Sequence, residues 1–356
     1  MRMTDVFTSK SVANRWTESA SSRDEYMGLA FFPTRKKQGL DIKELRGHKG
    51  LPISLAPSNF DAASTLRARE GFKAEEKEMA FFRESILLKE REEQEILRVQ
   101  EASDPYAQDI LDRVYDDVTP LLDGADVVAE RMRMQLLCPD IDGSPRILIA
   151  SDGKQYAYNY DSDGSYAANN YKALSGTSAW SNHDNSDPLA DLSAAIDAVV
   201  ALSGSRPAYV IMNSVTLGHM KKNANVRSAV LAQNATANVF MNNARLKEAV
   251  SSELQLTILI NDKQYKDESG NVQKFFKDGY VTLIPEGDLG FTWYGTTPEE
   301  RTLRGSGKAD VSIVGAGVAV VVTVTEDPVN TKTTVSEILL PSYERMAETY
   351  VLKVLE

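Results

Sequence analysis

Between Asp104 and Cys138 the apolar residues Tyr106, Ile110, Val114, Val118, Leu121, Ala125, Val128, Met132 and Leu136 recur every three or four positions. That spacing gathers side chains on one face of an α-helix. The stripe predicts a buried helix over about 105–137. Asp104-Pro105 supplies an N-cap and a first-turn proline, and Thr119-Pro120 repeats the signal inside the run, so the segment is two helices or one helix bent there, with Gly124 loosening it further. From Pro120 to Leu137 it would measure about 27 Å at 1.5 Å per residue, enough for the spine of a domain. Asp140-Ile141-Asp142-Gly143 ends it.

Downstream the period shortens. Arg146–Ala150 and Lys154–Tyr160 are two strand-like runs joined by Asp152-Gly153, a hairpin signal, and the hairpin is expected to pack on the helical stripe. Residues 161–187 are rich in Ser, Asn, Asp and Gly and read as a loop. Asp187-Pro188 then opens an amphipathic helix carrying Leu189, Leu192, Ala195, Ile196, Val199 and Val200, which stops at Gly204. The strand Ala208–Met212 follows, and Asn213-Ser214 caps a further helix with Leu217 and Met220. Leu254–Ile260, Val281–Ile284, Val311–Thr325 and Thr349–Leu355 are rich in β-branched residues and predict a second, sheet-centred domain with helices beside it. No internal repeat is present.

Upstream the pattern is broken. Residues 1–38 hold a short amphipathic stretch (Val6, Phe7, Val12, Trp16), a serine patch at 19–22, Phe31-Phe32-Pro33 and the basic triplet Arg35-Lys36-Lys37, and read as an arm. Glycines and prolines at 39, 47, 50, 52 and 57 punctuate the next segment, whose short apolar fragments suit extended strands. The islands Met79–Phe82 and Ile86–Leu88 read as the return strand of a long two-stranded arm leading into a charged helix over about 89–101. A lone two-stranded arm is barely stable in water, so residues 39–89 are expected to have no core of their own and to rest on a neighbouring subunit.

Composition narrows the function. The chain has 356 residues, 42% hydrophobic and 26% charged, with a formal net charge of -11; length favours two domains, and the charge argues against gripping phosphate backbones as the main task. Residues 1–50 hold ten Lys/Arg against six Asp/Glu, an excess of +4, so residues 51–356 carry -15 and a basic arm precedes an acidic body. The single cysteine, Cys138, excludes an intramolecular disulfide and suits a buried small hydrophobe. No apolar run reaches the roughly 18 residues of a membrane span, and the first residues lack a signal-peptide core, so a soluble intracellular protein is expected.

Four places hold candidate chemistry. Asn159–Gly164 overlaps a calcium-loop pattern, but position one is Asn159 and position twelve is Asn170, where a bidentate carboxylate is required. His183, Asp184 and Asp187 lie close together, yet no two of the three histidines share helical spacing. Gly315-Ala316-Gly317 follows a strand but is itself followed by Val/Thr-rich strand with Val320 at the third glycine position, unlike a dinucleotide fingerprint. Cys138 has no nucleophile context. No catalytic, cofactor or metal residues are expected.

Three stretches form a collinear set: Trp180-Ser181 with Asp187-Pro188-Leu189-Ala190-Asp191-Leu192; Gly279–Pro285 through Gly290 to Tyr294-Gly295-Thr296; and Asp327-Pro328 with Leu340-Pro341 and a closing strand. Together with Phe81-Phe82-Arg83-Glu84 and Glu130-Arg131-Met132, this set resembles the lambda-type major capsid proteins of tailed bacteriophages, the phage capsid protein E family. The resemblance covers nearly the whole chain and rests on packing and turn residues.

It implies an α+β chain of the Hong Kong 97-type capsid fold: an N-terminal arm (1–38), an extended two-stranded loop (39–89), a peripheral domain on the spine helix (90–180, completed by about 308–335) and an α/β axial domain (181–307, completed by about 336–356). It implies a structural, non-enzymatic protein forming hexamers and pentamers of an icosahedral shell around double-stranded DNA, bound without sequence specificity and without a membrane. Implied partners are a separate scaffold protein, a maturation protease, a portal and a decoration protein. The implied location is the virion capsid, with assembly in the host cytoplasm. A non-viral encapsulating shell of the same fold, or an acidic soluble α/β enzyme, are the alternatives the sequence leaves.

Overall fold

The structure, a computed structural model, describes residues 8–18, 25–46, 73–101, 106–140, 142–151, 154–231, 241–307 and 309–355. The chain divides into two compact units: Met1–Lys43, Glu76–Arg131 and Phe291–Ser342 form the first, and Glu44–Glu75, Met132–Gly290 and Tyr343–Glu356 the second.

The first unit is built on a six-stranded sheet around the 13-residue strand Val329–Pro341. It pairs antiparallel with Val318–Glu326, with Thr292–Tyr294 and, over nine residues, with Ala80–Leu88. Thr34–Lys36 joins in parallel to Thr292–Tyr294, and Asp310–Val314 folds back on Val318–Glu326 through the turn at Gly315–Gly317. Val318 to Val322 are all buried, as expected for a strand covered on both faces, so the Val311–Thr325 run is two strands of this sheet. The sequence reads the islands at 79–82 and 86–88 as the return strand of a long two-stranded arm. Residue for residue, Ala80–Leu88 instead pairs antiparallel with Thr331–Leu339 of the longer strand Val329–Pro341, which offers its backbone a nine-residue ladder. The strand Val329–Pro341 also runs unbroken through 335, where the sequence reading divides the chain.

The described part of the arm is docked on its own unit. Val12 and Ala13 of the helix Ser9–Glu18 are buried, Ser9 N donates to Asp310 Oδ2 at 2.5 Å, and the Ser9 and Ser312 hydroxyls lie 2.8 Å apart. Val6 and Phe7 lie outside the described residues.

The spine is one helix, Tyr106–Leu137, with Pro120 inside it; Asp104-Pro105 lies outside the described residues. Pro120 has no N–H to offer the carbonyl four residues back, and it sits exposed on the helix surface. Val118, Leu121, Ala125, Met132 and Leu136 are buried and Val128 is half-buried, so the stripe is as predicted wherever its side chains are described. Glu130, buried on the same helix, accepts from Gly28 N at 2.8 Å.

The second unit carries a five-stranded sheet in the order Tyr171–Ala173, Tyr350–Lys353, Tyr280–Ile284, Tyr209–Met212, Thr257–Ile260. Tyr280–Ile284 is antiparallel to both neighbours, and the two outer pairings are parallel. The predicted caps are realised: Asp187 caps the helix Pro188–Ser203, which ends at Gly204 in the left-handed conformation, and Asn213 caps Ser214–Lys222 through Thr216 N; of the strand expected over Leu254–Ile260, Leu254 instead ends the helix Asn243–Leu254 and only Thr257–Ile260 is strand. Each cap satisfies a backbone donor that the first helical turn leaves orphaned. Gly279 has φ +77°, and a Cβ there would lie 2.7 Å from Leu355 Cβ, so only glycine admits the last residues of the chain beside the central strand.

The predicted hairpin is Arg146–Ser151 paired with Lys154–Asn159. Gln135 of the spine fastens it, Nε2 donating to Leu148 O and Oε1 accepting from Leu148 N, both at 3.0 Å. Residues 161–187, read as loop, contain the short helix Ser165–Asn169, the strand Tyr171–Ala173 and a tight turn at Gly176–Ser178. Long-range side-chain bonds order them: Asn170 Nδ2 donates to Ala347 O and Thr349 O, and Tyr166 and Tyr343 both meet the Thr349 hydroxyl.

Candidate functional site

None of the sequence candidates assembles into a chemical site. In the calcium-like loop, Asp161 Oδ1 accepts from Tyr166 N, its Oδ2 accepts from Ala167 N and Ser144 Oγ, and Asp163 Oδ1 accepts from Ser165 N and Oγ. These carboxylates are therefore capping groups for the helix Ser165–Asn169. Asp187 is likewise committed to Ala190 N. Gly315–Gly317 is a hairpin turn. Among the described residues no three His, Cys, Asp or Glu side chains converge on a point where a metal ion would sit.

Cys138 follows the spine helix, its N–H bonded to Met134 O at 2.8 Å, and it is 4% exposed. Burial pushes its thiol up to about 12, so almost no thiolate exists near neutral pH and the sulfur is a poor nucleophile. Cys138→Ser is expected to cost about 1–3 kcal/mol, the penalty for an ill-satisfied buried hydroxyl, read as a lowered thermal midpoint. A maleimide should label the native protein only as it unfolds; labelling within minutes would contradict the assignment.

The structure also joins groups with no local sequence signal. His183 Nε2 and His219 Nδ1 lie 3.1 Å apart. Glu299, buried in the first unit, receives Arg83 and, at 2.9 Å, Ser336 Oγ. These partners are separated by 36 to 216 residues, beyond the reach of any motif.

Among the described residues, several strands have an edge that no other strand of the chain pairs with. Asp41–Arg46 pairs with Lys73–Glu78 as a two-stranded ribbon that, among the described residues, joins no other sheet. Its root is firm: Ile42 and Met79 are buried, Met79 N donates to Leu40 O at 2.7 Å, and a Cβ on Gly295 would meet Ile338 at 2.8 Å, Met79 at 3.0 Å and Gly39 O at 3.1 Å. Ala80–Leu88 pairs only with Val329–Pro341 among the described residues, leaving its other edge open, which natural proteins usually cover. In the second unit the hairpin Gln264–Lys266 with Val272–Lys274 stands as its own two-stranded sheet, with Val272 60% exposed.

The basic triplet is engaged within its unit. Arg35 lies 3.3 Å above the Phe291 ring centroid, Lys36 Nζ is 2.6 Å from Glu300, and Lys37 Nζ donates to Asp41 O at 2.9 Å. No helix among the described residues is long and apolar enough to cross a membrane.

A family profile described as phage major capsid protein E matches residues 8–354. No curated protein matches the chain. Among solved structures, the chain is similar to a prophage capsid protein of E. coli CFT073 (12% identity, 98% of this chain and 99% of that one covered, TM-score 0.60). It is also similar to a phage-related protein from Bordetella bronchiseptica RB50 (14% identity, 96% of each chain covered, TM-score 0.55). At such identities the likeness speaks for the fold alone, the mixed α+β Hong Kong 97-type capsid fold, and the family match over nearly the full chain speaks for the role. The protein belongs to the phage major capsid protein E family and is a structural protein of the phage capsid shell.

Proposed function

We propose that this chain closes, as hexamers and pentamers, into an icosahedral head around the double-stranded DNA of a tailed phage or prophage, each subunit laying its ribbon on a neighbour. The observation that carries this reading is the ribbon Asp41–Arg46 with Lys73–Glu78: it is anchored at its root yet joins no other sheet among the described residues. A two-stranded ribbon gains little stability alone, and a symmetric shell supplies an identical neighbour to every copy. The six-stranded unit takes the peripheral role and the five-stranded unit the axial one. A net charge of -11 suits a wall to which packed DNA does not adhere. A scaffold protein, a maturation protease, a portal and a decoration protein are the partners such a head uses, with assembly in the host cytoplasm.

The test is expression with and without the neighbouring genes, followed by negative-stain microscopy and analysis of particle contents. Closed shells of uniform diameter are expected once a scaffold is supplied. Only monomers or small oligomers under both conditions would overturn the reading, and an enzyme cargo in place of DNA would favour a non-viral shell.

A further inference from the structure

We propose that the His183–His219 contact is a proton-operated latch: closed, it holds at most one positive charge, and a second proton opens it and frees residues 182–187 from the junction of two helices. Three observations carry this. The ring nitrogens lie 3.1 Å apart while the ring centroids lie 5.3 Å apart at 32°, so the rings meet nearly end to end rather than stacked. Such a contact needs one N–H and one lone pair. A neutral pair supplies them, and so does a pair with one added proton, since that proton occupies an outward-facing nitrogen. Two imidazolium rings would turn N–H against N–H, and the contact must break.

The latch sits where a loop is tied down. His183 O accepts from Ala224 N at 2.8 Å, Asn223 Nδ2 donates to Ser186 O and Oγ at 2.9 Å, and Asn225 Nδ2 donates to Ser186 O at 2.9 Å. These bonds join the loop to the junction between Ser214–Lys222 and Ala224–Leu231, one residue before the Asp187 cap of Pro188–Ser203.

The charged groups on the elements around the pair are Asp184 and Asp187 on the loop, Lys221 and Lys222 on the helix of His219, and Arg227 on the next helix. Burial, His183 and Lys222 lower the His219 pKa from 6.5. The folded state thus resists protonation that the unfolded chain accepts, so the stabilising effect is complete above about pH 6.5 and fades as pH falls below it.

Hydrogen exchange on the full chain at pH 7.5 and 5.0, corrected for intrinsic exchange rates, tests the latch. Peptides covering 182–190 and 219–226 should lose protection several-fold at pH 5.0, while the strand Thr257–Ile260 stays protected. His219→Gln and His183→Asn should each abolish that pH dependence. Unchanged protection in the unaltered chain, a uniform loss across the whole unit, or a pH response that survives both substitutions would overturn the proposal. Should neither variant fold, the imidazole signals of the unaltered chain decide: it has three histidines, few enough to assign. The His219 imidazole is expected to titrate below the ordinary histidine value, with the His183 signals moving at the same step; a His219 that titrates at the ordinary value, or whose step leaves the His183 signals unmoved, would sink it.

Discussion

Replacing residues 43–77 with a short Gly/Ser linker should leave a soluble protein that melts cooperatively and no longer forms closed shells. The cut lies above the root formed by Ile42 and Met79, both buried, and it spares the strand Ala80–Leu88, whose nine residues pair with Thr331–Leu339. The body keeps its sheet, while each subunit loses the contact surface that, in the proposed shell, the ribbon offers its neighbours; a specific interface buries on the order of 1,600 Å², so losing a large share of one should weaken assembly steeply. Extending the replacement through residue 88 removes a sheet strand as well, and that longer variant should fail to fold. Light scattering on both proteins beside their thermal melts checks the pair of outcomes. Shells from the shorter replacement would make the ribbon decoration, and a well-folded longer one would contradict the sheet.

Trp180→Ala should cost the second unit about 3–5 kcal/mol, the range for emptying an aromatic from a packed core. Trp180 is 0% exposed and belongs to the buried core that also holds Leu192, Ile196, Tyr350 and Val354. Its backbone N–H donates to Val354 O at 2.8 Å and its indole Nε1 donates to Asp191 Oδ2 at 3.0 Å. Removal therefore opens a cavity and also strips a half-buried carboxylate of its donor. For a unit of this size the thermal midpoint should fall by on the order of 10 °C. Trp180→Phe keeps most of the volume but not the N–H, and should lose only about 1–3 kcal/mol. A melt of the alanine variant within a degree or two of the parent would mean the side chain is not the keystone its burial implies.

Much of this architecture is legible in the residues alone. The spine helix, the 146–159 hairpin, the helix Pro188–Ser203 with both its caps and the strand at 209–212 all stand where periodicity and capping residues put them. The family resemblance was also readable, through collinear packing residues such as Trp180, Gly279 and Gly295. Asn159 and Asn170 already tell against a calcium loop in the sequence, but what Asp161 does instead was not legible there: its bonds to Tyr166 N and Ala167 N, five and six residues on, make it a cap.

Local pattern therefore settles what lies within about one helical turn or one hairpin: a cap bonds a donor two or three residues on, and a stripe repeats every three or four. Which elements meet is settled only in the folded chain. Ala80–Leu88 left the ribbon for a strand some 250 positions away, Ser9–Glu18 docked on Asp310 and Ser312, and His183 met His219 across a helix. An amphipathic strand or helix announces that one face needs covering, but the pattern is the same whatever covers it. The choice of partner is made by burial and backbone pairing summed over the whole chain.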